Sequence, residues 1–90
     1  MATLHILANE GIPAAAAWLL DRGADIHLRD REFDSTPLAW AARAGRADMI
    51  EFLMSRGAKP VHPEDEPWAT PAAWAMRRGH QDIVELLEKT

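Results

Sequence analysis

Four histidines and two serines are the side chains of this sequence with most chemistry to offer, and their spacing withholds most of it. His5, His27, His62 and His80 do not fall at a metal-ligand spacing. His62 is followed by Glu64, Asp65 and Glu66, which could together receive a cation on a loop. The plainer reading is a run of solvated charges, because no ordered ligand set accompanies them. Ser35 and Ser55 are the only serines, there is no cysteine or tyrosine, and no glycine-rich phosphate loop is present. The sequence therefore points to no catalytic residue, no cofactor and no metal, and an enzyme is not expected.

Composition narrows the field further. Ninety residues, 48% apolar and 27% charged, suit one small globular domain. A net charge of −4 gives no basic footprint for phosphates, so nucleic acid is not an expected partner. Without cysteine, disulfides and thiolate zinc sites are excluded. The start lacks the basic region of a signal peptide, Glu10 and Pro13 interrupt its apolar residues, and no stretch approaches a membrane span. A soluble, cytoplasmic domain with no membrane partner is the expectation.

What must position any functional residue is a repeat. Gly11, Gly45 and Gly79 recur at intervals of 34 residues. In the same register, Thr36-Pro37-Leu38-Ala39-Trp40-Ala41 returns as Thr70-Pro71-Ala72-Ala73-Trp74-Ala75, and Trp18-Leu19-Leu20-Asp21-Arg22-Gly23-Ala24 as Phe52-Leu53-Met54-Ser55-Arg56-Gly57-Ala58. A fixed period of this size is the mark of a stacked repeat. Each unit reads as two short helices. Thr36 and Thr70 can cap a first helix with proline at its first position, and Gly45 and Gly79 can end it. Asp48 and Asp82 suit the first turn of the second helix. Met49, Ile50, Leu53 and Met54, then Ile83, Val84 and Leu87, give one buried stripe, whose last slot in the third unit is Glu88. In the first unit, helices are expected from Ala2 to Asn9 and from Pro13 to Asp21, with Ala14–Ala17 packing closely against a neighbour. The connecting segments 24–35 and 58–69 are too long for simple turns. Ile26 and Leu28 suit a hairpin-like excursion, while Pro60, Pro63 and Pro67 favour a projecting finger over a sheet.

These residues resemble the ankyrin repeat. Thr36-Pro37-Leu38-Ala39-Trp40-Ala41-Ala42-Arg43-Ala44-Gly45 matches the first half of the family pattern, and Phe52-Leu53-Met54-Ser55-Arg56-Gly57-Ala58 the second; Gly79-His80 and Leu19–Ile26 match elsewhere. The resemblance implies an all-α solenoid of helix–turn–helix units joined by projecting hairpin-like loops, in one domain over 1–90. Its units would be 1–29 (partial), 30–63 and 64–90. Two departures stand out. The motif histidine survives only as His5, with Ala39 and Ala73 in its other places, so its hydrogen bonds should be absent twice. The glycine two residues before Thr-Pro is Asp34 in one unit and Trp68 in the next, which puts that loop geometry in question.

The family binds proteins through its finger tips and the exposed side of the first helices. Carried over by position, that surface offers Glu32, Phe33, Ser35, Glu66 and Trp68 on the fingers, and Arg43, Arg77 and Arg78 on the helices. The resemblance thus implies a protein partner of unknown identity. Phe33 and Trp68 can anchor an interface as loop-tip aromatics, or fold back onto their own helices. The arginines form a basic ridge for a partner, or simply pair with Asp34, Glu64, Asp65 and Glu66. Trp40 and Trp74, repeated in register, read as packing between units, and Trp18 as structural. Leu4, Ile6 and Leu7 lie in a first helix with no repeat before it, so a homo-oligomer joined through that end is a second expectation. A fragment of a longer array would show the same feature.

Overall fold

The computed structural model describes residues 3–89. Among them the chain forms three helix–turn–helix pairs: α1 (Thr3–Glu10) with α2 (Pro13–Asp21), α3 (Pro37–Ala44) with α4 (Ala47–Ser55), and α5 (Pro71–Arg77) with α6 (Gln81–Glu88). The expected helix start at Ala2 lies outside the described residues. The all-α reading holds, with no strand among the described residues.

Local chemistry sets the helix ends. The Thr36 hydroxyl accepts from the Ala39 N–H at 3.3 Å and the Thr70 hydroxyl from Ala73 at 3.1 Å, so each satisfies a donor that a helix start leaves free. Pro37 and Pro71 follow at the first helical position. Gly45 closes α3 in the left-handed conformation, φ 73°, and the next N–H, of Arg46, turns back to the Ala41 carbonyl.

The helices stack in two rows. The inner row is α1, α3 and α5, with α3 buried continuously from Pro37 through Ala42. Ala8, Ala39, Ala41, Ala42 and Ala75 have no exposed surface, which lets neighbouring backbones approach closely. The outer row is α2, α4 and α6. Met49, Ile50 and Leu53 of α4 and Ile83 of α6 are fully buried, each burial contributing about 1.5–3 kcal/mol. Glu88 meets water, as its place in the stripe suggested. Of Ala14–Ala17 only Ala16 is buried, so close packing is confined to that position. Trp18 corrects the expectation that it packs like Phe52: it is 55% exposed, with the Arg22 guanidinium 3.6 Å from its ring centre. Phe52, by contrast, is packed against the core.

One tie between units recurs with the period. Arg46 Nε donates to the Asn9 carbonyl at 2.9 Å, and His80 Nε2 donates to the Arg43 carbonyl at 3.2 Å, each reaching 37 residues back. A Cβ on Gly11 would lie 2.9 Å from Arg46 Cδ, and one on Gly45 2.9 Å from His80 Cε1. Glycine is therefore required at Gly45 twice, for its backbone angle and for the ring beneath it. Gly23 shares only the first requirement: its φ is 92° and nothing lies near its Cβ direction. Gly23→Ala should cost roughly the 1–2 kcal/mol of a left-handed residue. Gly45→Ala should cost clearly more, because the His80 tie is displaced as well. Urea unfolding of the two variants beside the parent chain measures the difference.

Candidate functional site

The finger over residues 24–35 is organised by one side chain, Asp30. The residue is only 7% exposed. One carboxylate oxygen accepts from the N–H groups of Glu32 at 3.0 Å and Phe33 at 2.9 Å. The other accepts from the Ser35 N–H and the Trp40 indole N–H, both at 3.0 Å. The Asp30 N–H itself donates to the Ser35 carbonyl at 3.0 Å and closes the base of the finger. Burial pushes this carboxyl's pKa up, but the Trp40, Phe33 and Ser35 donors and the nearby His5 together outweigh it. Its pKa lies below the ordinary value.

This turn delivers the finger's remaining side chains. Asp34 takes the positive φ (48°) that glycine usually provides, a conformation aspartate tolerates better than most residues. Ser35, expected as a contact residue, is instead buried at 2% exposure. Its hydroxyl donates to the Phe33 carbonyl at 2.8 Å and accepts from the Trp74 indole N–H at 2.9 Å. The carbonyl of Ser35 receives His5 Nε2 at 3.0 Å. Ala39 cannot repeat that bond one period later; the Ala69 carbonyl has the Ser35 hydroxyl 3.3 Å away as a secondary donor.

Trp74 is the centre of what faces solvent. Phe33 stands edge-on to it at 5.2 Å and Trp68 at 6.4 Å, centroid to centroid. Arg77 lies 4.3 Å and Arg43 5.4 Å from the same ring. Arg43 also lies 5.1 Å from Phe33, and Arg77 donates to the Trp68 carbonyl. Four of the predicted contact residues (Phe33, Arg43, Trp68 and Arg77) thus converge on one indole. Glu32, Glu66 and Arg78 are exposed, and among the described residues Arg78 is not stacked on any of these rings. Phe33 folds back, half-buried, against Trp40 at 5.5 Å as well, while Trp68 keeps 45% of its surface exposed.

The second finger is built differently. Trp68, in the other glycine position, avoids positive φ by entering a single 3₁₀ turn over Pro67–Ala69. Asp65 accepts from the His62 N–H at 3.0 Å and pairs with Arg29 of the first finger, whose guanidinium also lies 3.9 Å from Glu64. The rings of His27 and His62 meet edge-on at 4.8 Å. No group of three or more histidine, aspartate or glutamate residues among those described is placed to hold a metal ion. A depression of about 270 Å³ is lined by Gly11 and residues 46–49, and no predicted contact residue lines it.

Residues 4–90 match the ankyrin repeats, in three copies. The chain belongs to the ankyrin-repeat family. It is 35% identical over 57 residues to the Palmitoyltransferase AKR1 of Lachancea kluyveri, a match covering 63% of this chain and 8% of that protein. It is 34% identical over 58 residues to the B-cell lymphoma 3 protein homolog of Mus musculus, covering 64% of this chain and 13% of that protein. The ankyrin chain thus spans a small part of the curated relatives it matches. No helix among its described residues is long and apolar enough to cross a membrane.

Sequence reasoning missed Asp30 and underrated Trp74. The signal for Asp30 was present: an aspartate two and three residues before backbone donors is the spacing of an Asx turn. Trp74 was hidden by its equivalence to Trp40, which is 6% exposed while Trp74 is half-buried. Asp30→Asn should cost on the order of 1.5–3 kcal/mol at neutral pH, because the amide turns donors toward donors. A carboxyl whose folded-state pKa is depressed stabilises the fold above its ordinary value, 3.8, and that contribution fades as pH falls toward the lower folded value. The parent chain should therefore lose stability below about pH 4 more steeply than Asp30→Asn. Urea midpoints across an acid series give both slopes.

Proposed function

We propose that this ankyrin-repeat chain is a protein-interaction module that holds its partner against Phe33, Trp68 and Trp74 with Arg43 and Arg77 beside them. The observation that supports this most is the clustering itself. Two fingers and two inner helices place two partly exposed aromatic rings and two guanidiniums around a third ring, the Trp74 indole, and aromatics and arginine are the residue types that dominate binding hot spots. Buried anchors such as Asp30 and Ser35 hold these groups in place before a partner arrives, which lowers the ordering cost of binding. The chemistry of an enzyme is not required of it: the site holds no nucleophile free of internal bonds, since the Ser35 hydroxyl is already committed. In this reading the palmitoyl transfer named for the yeast relative belongs to parts of that protein that this chain does not match.

A second reading, self-association, is favoured by one observation. Ile6, Ile12 and Trp18 are 43%, 44% and 55% exposed in the first unit. The apolar end is smaller than expected, because Leu4 is buried at 4%.

Both readings have direct tests. A random peptide library displayed on phage is selected on the full chain, and enriched peptides are measured against the parent and against Trp68→Ser with Arg77→Ala, both exposed positions. The interaction reading expects at least a tenfold loss of affinity, about 1.4 kcal/mol, with the circular dichroism unchanged. Equal affinities place the contact elsewhere. Sedimentation over a concentration series checks the second reading; a strict monomer at high concentration removes it.

A further inference from the structure

We infer that the segment held on this surface is an acidic stretch of a partner protein, whose carboxylates are received by Arg43 and Arg77 at the Trp74 ring. The inference rests on the interaction reading and names the partner's chemistry.

Arg43 and Arg77 occupy the same register position, one period apart, on the adjacent inner helices α3 and α5. Both guanidiniums are drawn to one indole, at 5.4 and 4.3 Å from its centre. An arginine resting on a ring keeps N–H groups free around its edge, and its planar fork matches a carboxylate with little further loss of freedom. Among the described residues, neither arginine has a carboxylate within ion-pair distance. This separates the two readings of the basic ridge: the arginines do not pair with the acidic fingers. Of those acids, Asp65 pairs with Arg29 and Glu64 lies 3.9 Å from the same guanidinium, while Asp34 and Glu66 are exposed to solvent. The Arg43 Nε–H is out of contact with solvent and has no hydrogen-bond partner.

The result is local. The chain carries fourteen acidic residues against ten basic ones, yet this patch has two cations and no acid paired to them. A cationic partner is disfavoured there, because the ring faces that would attract it already hold the chain's own guanidiniums. A purely apolar segment would cover two charges without compensating them, which costs more than it gains. A segment with carboxylates set toward the helices and apolar groups set toward Phe33 and Trp68 satisfies both halves of the surface. The exposed Glu32 and Glu66 on the fingers oppose acid at those points, so alternation of charge with apolar residues fits better than a uniform acidic run.

The test uses three fluorescein-labelled ten-residue peptides in which leucine alternates with glutamate, glutamine or lysine, read by fluorescence anisotropy with the full chain. The glutamate peptide should bind at least tenfold more tightly than the glutamine peptide, and the lysine peptide should not bind. Affinity for the glutamate peptide should fall at least tenfold in R43Q/R77Q and severalfold in R77Q alone, a safer change at an exposed position. R22Q/K59Q removes the same net charge away from the patch and should leave affinity within twofold. Raising salt from 50 to 200 mM, roughly halving the screening length, should weaken binding to the parent chain and not the residual binding to R43Q/R77Q. The inference is overturned if glutamate and glutamine peptides bind alike, if R22Q/K59Q loses as much as R43Q/R77Q, or if the glutamate peptide does not bind the parent chain. A glutamine peptide that binds as tightly as the glutamate peptide and is lost in W68S would overturn the acidic partner alone and leave the interaction surface standing.

Discussion

The arrangement of this chain depends on a buried carboxylate held by N–H donors, with no ion pair to it among the described residues. Asp30 gathers three backbone N–H groups and the Trp40 indole into one anion site within the first finger. A turn of this shape could not otherwise be buried, because its N–H groups would lose water without gaining an acceptor. The same charge ties the finger to the middle inner helix, so loop and scaffold form one rigid object. From that point the geometry propagates. Ser35 is placed to bond Trp74 of the following unit, and Phe33 is placed between the two tryptophans.

The outward surface is thus a by-product of how the inside is satisfied. Indole N–H groups of Trp40 and Trp74 point inward to polar partners, and the rings left over form the platform on which Phe33, Trp68 and the arginines rest. Tryptophan suits this position because its apolar body and its single donor can serve different neighbours. Arginine suits the rim because it covers an aromatic face without giving up its charge.

How much of this was legible in the chain follows the range of each interaction. Helix starts at Pro37 and Pro71, the capping threonines, and the glycine ends depend on a few neighbouring residues, and all are as the pattern implies. The repeat register extended that legibility to the buried stripe and to the stacking. It failed where equal positions acquire unequal surroundings. Trp18 shares its register with Phe52 and is exposed; Trp74 shares its register with Trp40 and is not buried with it. Glycine's place at Asp34 and Trp68 was answered in two ways, a strained angle in one finger and a 3₁₀ turn in the next. Ser35 was legible as a finger residue, but the direction of its hydroxyl is decided by Trp74, 39 residues away.

The backward tie from Arg46 to Asn9 and from His80 to Arg43 bears on how such a chain can change length. Copies of the second or third unit carry both halves of the connection, whereas the first unit has Ile12 at the Arg46 position and offers no side-chain donor to a unit placed ahead of it. The Asp30–Ser35–Trp74 linkage has no such symmetry, since the position one period after Ser35 is Ala69, which has no hydroxyl. The second and third units are therefore interchangeable as building blocks, while the two fingers are fixed in their order. Growth of the array can proceed by copying those units, while the proposed surface around Trp74 keeps its form only if the junction between the two fingers is left uncut.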